Sequence, residues 1–152
     1  MSAMRAVRPE RTNWRDMELS NRHRRWGFNC PAVDLDFLMV EYNLGLPVAL
    51  VDYKQFLAQM PNTRHPTYRA ICALADREPP LPFLVVFYWP DVWAFRVYPV
   101  NETGHKQFKY GEELTEREYV TRLYRLRSLL VEQQILDRLN NTKPPKEANT
   151  CS

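Results

Sequence analysis

A chain of 152 residues, 45% hydrophobic and 26% charged, has the length and balance of one folded domain with a real core. Its formal net charge of +3 is too small to mark a nucleic-acid or membrane binder by itself, and no apolar run approaches the ~20 residues of a membrane helix. Cys30, Cys72 and Cys151 are odd in number and widely spaced, fitting neither a disulfide framework nor a CxxC metal knot; a reducing, cytoplasmic setting is expected.

The start, MSAMRAVRPERTNWRD, is basic without an apolar centre and reads as no secretory signal. Residues 1–12 read as flexible, 13–140 as the folded domain. From Asn13 to about Trp26 the run NWRDMELSNRHRRW predicts a helix capped by Asn13, with Trp14, Met17 and Leu19 on its apolar side. Gly27 ends it or begins a short strand through Phe28. Arg5, Arg8, Arg11, Arg15, Arg22, Arg24 and Arg25 crowd this segment against Glu10, Asp16 and Glu18. A basic face suits phosphate; a solvated helix face has the same composition.

PAVDLDFLMVEYNLGLPVALVDYKQ, residues 31–55, follows. Val33 to Tyr42 and Val48 to Tyr53 predict two strands, and Asn43-Leu44-Gly45-Leu46-Pro47 between them is turn chemistry. So short a connection makes the strands an antiparallel hairpin. HPTYRAICALADRE then predicts a helix with Pro66 in its first turn and Tyr68, Ile71, Cys72 and Ala75 on one stripe. Phe83 to Trp89 and Val92 to Tyr98 predict a second hairpin around Pro90-Asp91. Tyr88, Trp89, Trp93, Phe95 and Tyr98 read as core, with base stacking as the sharper alternative. Thr115-Glu-Arg-Glu118 has the form of a capping box and predicts a long helix to about Leu139, with Val120, Leu123, Leu126, Leu130, Ile135 and Leu139 inside. Such a helix could also form a dimer surface. Residues 141–152, polar with a Pro-Pro pair, read as a disordered tail.

A strand, a helical crossover and a strand make a parallel pair, so strand 48–54 should lie parallel to 83–89. The unalternating PFLVVFYW fits a strand buried on both faces. The expected fold is α/β: one domain, with a mixed sheet of about five strands flanked by helices and a long carboxy-terminal helix.

Side chains alternate along a strand, so Asp34 and Asp36 share a face, as do Asp52 and Lys54. The hairpin brings the start of its first strand beside the end of its second. Carboxylates converging with one ammonium are costly as core filling, but make sense as a site for a hard divalent cation. Glu41 lies on the opposite face and reads as an exposed strand residue. His23, His65 and His105 have no ligand spacing and read as surface or capping residues.

An aspartate on one strand, a turn, then Asp-Tyr-Lys ending an apolar strand resembles the PD-(D/E)XK nuclease superfamily, over roughly residues 13 to 98. The wording VDLDFLMVEYN, PVALVDYK and VVFYWPDVWAFRVYPVNE is also similar to small nuclease-like proteins of bacteria and their viruses. The resemblance implies a restriction-endonuclease-like core in which Asp52 is the second motif carboxylate and Lys54 the motif lysine. Either Asp34 or Asp36 is the first. Pro31 stands three residues before Asp34, so the literal Pro-Asp pair is absent. Many members carry an acid on the first helix, where Glu18 stands here. Gln55 would help position the attacking water, and Arg22, Arg24 and Arg25 would clamp the backbone. Mg²⁺ or Mn²⁺ is the implied cofactor, and DNA the expected substrate, with RNA the open alternative. A homodimer or a partner protein would supply specificity. The rivals are an inactive member of the fold that binds nucleic acid or protein, and a structural protein whose charges form only a salt-bridge network.

Overall fold

The computed structural model describes residues 17–29 and 32–146. The expectations for Asn13, Trp14, the Met17 side chain, Cys30, Cys151, the flexible residues 1–12 and the last six residues of the expected tail lie outside the described residues. The chain divides into an amino-terminal unit ending at Asp34 and a larger unit from Leu35.

In the amino-terminal unit, α1 spans Met17–Arg25, with Glu18 in its first turn and Arg22, His23, Arg24 and Arg25 in its last. That order of charges complements the helix dipole. Leu19 is 52% exposed. Gly27, in the left-handed region at φ 94°, ends the helix. No strand forms at Phe28, which is almost fully exposed and so has no core to pair against.

The larger unit is a five-stranded mixed sheet in the order β1-β2-β3-β4-β5. Its strands are β1 (Phe37–Glu41), β2 (Leu46–Gln55), β3 (Phe83–Trp89), β4 (Ala94–Pro99) and β5 (Glu112–Leu114). β2 and β3 are parallel, joined by helix α2 (Pro66–Ala75); the other neighbours are antiparallel. β3 is the centre, and Phe83 through Phe87 are buried on both faces, as an unalternating apolar run requires. α2 covers one face through Ile71 and Ala75 on Leu50 and Phe83. The other face packs Val51, Leu84, Val86 and Val97 against Tyr119 and Leu123 of helix α4 (Glu116–Arg125). There the hydroxyls of Tyr53 and Tyr119 lie 2.5 Å apart, which satisfies both phenols inside the core. No helix among the described residues is long and apolar enough to cross a membrane.

Several boundaries differ from those expected. β1 starts at Phe37, not Val33, and residues 32–36 lead into it without strand structure. β2 runs longer at both ends, and a bulge lets Met39 pair Ala49 while Val40 pairs Pro47. Trp93, at φ 51°, belongs to the turn, so β4 begins at Ala94. Two elements were not foreseen: α3 (Glu102–Gln107), capped by the Asn101 side chain, and the three-residue strand β5. With β5 the sheet reaches the expected number of about five strands.

The long final helix does not form. Thr115 caps α4 as the capping box implies, its side chain accepting from the Glu118 N–H at 3.2 Å. The helix then stops at Arg125. The Leu129 N–H bonds the Tyr124 carbonyl and the Ser128 N–H bonds that of Arg125, with Ser128 left-handed at φ 57°. This is a Schellman stop in which serine takes the place usually given to glycine. Leu130 is accordingly 89% exposed rather than inside, and only a short helix α5 (Gln133–Leu136) follows. Ser128→Gly should stabilise the fold by about 0.5–1 kcal/mol by removing the left-handed penalty, read as a raised urea midpoint at unchanged slope.

Part of the expected tail is anchored. Lys143 bonds the Glu113 carbonyl at 3.1 Å and the Glu118 carboxylate at 2.8 Å, and Pro144 is buried.

Candidate functional site

Leu50, Asp52 and Lys54 are in phase along β2 and face α2, whereas Val51 and Tyr53 face α4. β1 pairs Phe37 with Val51, so Asp36, one residue earlier, stands opposite Asp52 on the α2 face. The Asp36 and Asp52 carboxyls are near enough for Asp52 to raise the pKa of Asp36. The Lys54 ammonium lies 3.4 Å from Asp52 Oδ1. From α2, the Tyr68 hydroxyl donates to Asp52 Oδ2 at 2.5 Å. Two carboxyls, an ammonium and a phenol thus meet where the hairpin joins the parallel pair.

Burial pushes the Asp36 carboxyl up to about 6, helped by the neighbouring Asp52; Lys54 and a backbone hydrogen bond from Tyr53 oppose it. Burial also raises Tyr68 well above the ordinary tyrosine range, reinforced by Asp52 and then Asp36, so it stays a phenol and a donor. Asp52 is the inner member, its side chain 13% exposed against 34% for Lys54.

A carboxyl whose folded value exceeds its ordinary 3.8 binds its proton more tightly in the folded chain. Its contribution is fully present below pH 3.8 and is lost as the pH rises through about 6. The metal-free protein should therefore lose stability across that window, and Asp36→Asn should flatten the loss, as read by denaturant titrations at stepped pH.

Of the expected residues, Asp36, Asp52 and Lys54 come together. Gln55 ends β2 one residue out of phase with Lys54 and so belongs to the other face. Asp34 closes the amino-terminal unit, which also carries Glu18 and the exposed Arg22, Arg24 and Arg25. Glu41 has a defined role: its carboxylate accepts from the Asn43 and Leu44 N–H groups at 3.2 and 2.6 Å and fixes the hairpin turn. His65 caps α2 by accepting from the Thr67 N–H at 3.2 Å. Among the other expected core aromatics, Trp89 and Phe95 are buried and Trp93 is 44% exposed.

Tyr68 was read only as a member of an apolar stripe. The signal was the hydroxyl: a tyrosine on the buried face of a crossover helix places its polar tip over the strand that helix covers.

Among the described residues no three His, Cys, Asp or Glu side chains gather as a metal-holding group. The pair Asp36 and Asp52 is nonetheless a donor set that suits a hard cation, since Mg²⁺ takes one or two carboxylates and completes its shell with water and phosphate oxygens. No protein-family model, curated protein or solved structure matches the chain.

Proposed function

We propose that this chain is a divalent-metal-dependent phosphodiesterase acting on DNA, a nuclease of PD-(D/E)XK character. The observation that carries the reading is the convergence of Asp36, Asp52 and Lys54 on one face of a hairpin whose second strand runs parallel to β3. Bound between Asp36 and Asp52, Mg²⁺ or Mn²⁺ would supply Lewis-acid polarisation of a phosphoryl oxygen and a water of lowered pKa.

The chain's own groups have separable tasks. Tyr68 fixes the Asp52 carboxylate by donating to Oδ2, leaving Oδ1 turned toward Lys54. Asp36, whose value burial raises, gives up its proton before it can act as a ligand, so ligand capture strengthens above pH 6. Lys54 points its ammonium along the same face and stabilises the negative charge that grows on the phosphoryl oxygens as water adds and the ester P–O bond breaks. The displaced alkoxide leaves with a proton from solvent.

One observation favours a rival reading, in which the fold binds nucleic acid or a protein without chemistry. Both Asp52 oxygens already have protein partners, Tyr68 at 2.5 Å and Lys54 at 3.4 Å. The two readings separate on cation binding. A nuclease site predicts thermal stabilisation by Mg²⁺ or Mn²⁺ that disappears in Asp52→Ala, with cleavage of plasmid or single-stranded DNA in the same buffers. Absence of both for the wild type, on every substrate, overturns the nuclease and leaves the binding protein.

A further inference from the structure

Helix α4 has two distinct sides. Tyr119 and Leu123 face the sheet, whereas Arg117, Thr121 and Arg125, spaced four residues apart, form a row on the side away from it. That row lines a cavity of about 350 Å³ whose other walls are β5, through Leu114, and α5, through Gln133 and Leu136. α5 reaches the cavity because the stop at Ser128 turns the chain out of α4. The lining carries two carboxylates, and each has its own cation. Glu112 pairs with Arg122 at 3.0 Å, and Arg122 also donates to the Gln107 carbonyl and lies over the Phe108 ring, 4.7 Å from its centre. Glu118 pairs with Lys143 at 2.8 Å. Two guanidiniums are left over. Among the described residues, the Arg117 side chain makes one hydrogen bond, from Nε to the Leu139 carbonyl at 3.1 Å, and the Arg125 side chain makes no hydrogen bond or ion pair.

We infer that this cavity binds a small organic dianion, with Arg117 and Arg125 as its two cationic contacts. Charge sets the class. Three arginines line the cavity and Lys143 joins them at Glu118, against two carboxylates, so two positive charges remain. A guanidinium keeps its charge throughout the physiological range, and its fork matches the paired oxygens of a carboxylate or a phosphate. Position sets the form. Residues eight apart on a helix are ~12 Å apart along its axis, so the ligand meets one cation from each end of the row. Size sets the limit. A volume of about 350 Å³ is at the low end of small-molecule pockets, and Leu114 and Leu136 offer an apolar surface to a short carbon body. The shared chemistry is two negative charges on a small carbon skeleton, as in a dicarboxylate or a phosphate monoester. The inference stands apart from the phosphodiesterase reading, because α4 packs on the sheet face opposite the one where Asp52 meets Tyr68 of α2.

The test is calorimetric titration of the full chain with two dianions, adipate and glycerol phosphate, beside two monoanions, hexanoate and dimethyl phosphate. The expected result is saturable binding of at least one dianion with a Kd below about 1 mM, at least about tenfold tighter than its monoanion counterpart. Tighter adipate assigns the site to a dicarboxylate, and tighter glycerol phosphate to a phosphate monoester. Arg125→Gln removes one cation without removing a contact within the fold, so it should weaken the dianion at least about tenfold at an unchanged urea midpoint. Arg117→Gln should weaken it as much, but also frees the Leu139 carbonyl, which makes Arg125→Gln the deciding variant. Lys106→Ala removes the same charge from α3, where Lys106 pairs with Glu102 outside the cavity, and should leave the affinity unchanged. No saturable binding of either dianion overturns the inference. So does a monoanion that binds as tightly, since a phosphodiester taken equally well marks a nucleic-acid backbone contact. An equal loss in Lys106→Ala also overturns it, because the attraction would then belong to the whole surface.

Discussion

Lys54→Ala should lower metal-dependent DNA cleavage by roughly 10²–10³-fold, the usual loss when one preorganised charge is taken from a developing oxyanion, while the fold hardly notices. The second half follows from exposure. The Lys54 side chain is 34% exposed and its Asp52 partner is 3.4 Å away, so the pair resembles a surface ion pair worth at most about 1 kcal/mol. Removing it leaves Asp52 still bonded to Tyr68. If Lys54 acts on the transition state alone, kcat falls and KM stays, whereas a lysine that merely held substrate would raise KM at constant kcat. Lys54→Arg should not restore the rate, because a planar fork does not reproduce a compact ammonium. The measurement is initial-rate cleavage of plasmid and of single-stranded DNA with Mg²⁺ or Mn²⁺, beside a denaturant melt of each variant. Wild-type cleavage that survives in Lys54→Ala would mean that the activity belongs to another site or another protein.

The sequence and the structure agree most closely where one strong local rule acts alone. Phe83–Trp89 was legible to the residue because seven unbroken apolar side chains between prolines fit only a doubly buried strand. Pro66 and the Thr115–Glu118 box marked helix starts through chemistry that is local. The end of α4 was not legible: the helical stripe continues past Arg125, and the stop depends on Ser128 adopting a conformation for which serine gives no signal. β5 escaped because three residues of mixed polarity carry no period, and it exists only because β4 offers an edge, with Glu113 paired to Arg96 at 2.6 Å. At the site, alternation alone put Asp52 and Lys54 on one face. Choosing a partner for Asp52 needed the register, which a bulge between Met39 and Val40 shifts by one residue. Tyr68 needed the packing of α2 on the sheet, a tertiary fact that periodicity does not contain.

The largest loss of stability is expected not at the charged site but at Asn101, which is 6% exposed and uses all of its amide. Its Oδ1 accepts from the Phe83 and Gly104 N–H groups, both at 2.9 Å. Its Nδ2 donates to the Leu81 carbonyl at 2.7 Å and to Asp76 Oδ1 at 3.0 Å. One side chain therefore ties together the end of α2, the start of β3 and the start of α3. Asn101→Ala strands two buried backbone donors and a part-buried acceptor, and at 1–3 kcal/mol for each buried donor left unmet the expected loss is roughly 2–6 kcal/mol. That is comparable with the whole stability of a small domain. Asn101→Asp keeps Oδ1 but sets an oxygen against the Leu81 carbonyl and Asp76, and should lose nearly as much. Gly104 is the matching constraint, since a Cβ there would lie 2.9 Å from the Phe83 carbonyl oxygen and 3.0 Å from Asn101 Oδ1. Gly104→Ala should cost about 2 kcal/mol through overpacking against backbone that cannot yield. The double variant should fall short of the sum, because removing the Asn101 amide frees one of the three close contacts, the third being Pro99 Cβ at 3.1 Å. Urea unfolding of the four chains measures all of these terms, and additive losses would show that Asn101 and Gly104 act independently. The same experiment bears on the site: β3 carries Val85, the row partner of both Asp52 and Tyr98. A chain that keeps its secondary structure but loses this pin should lose the alignment of the carboxylates before it loses the sheet.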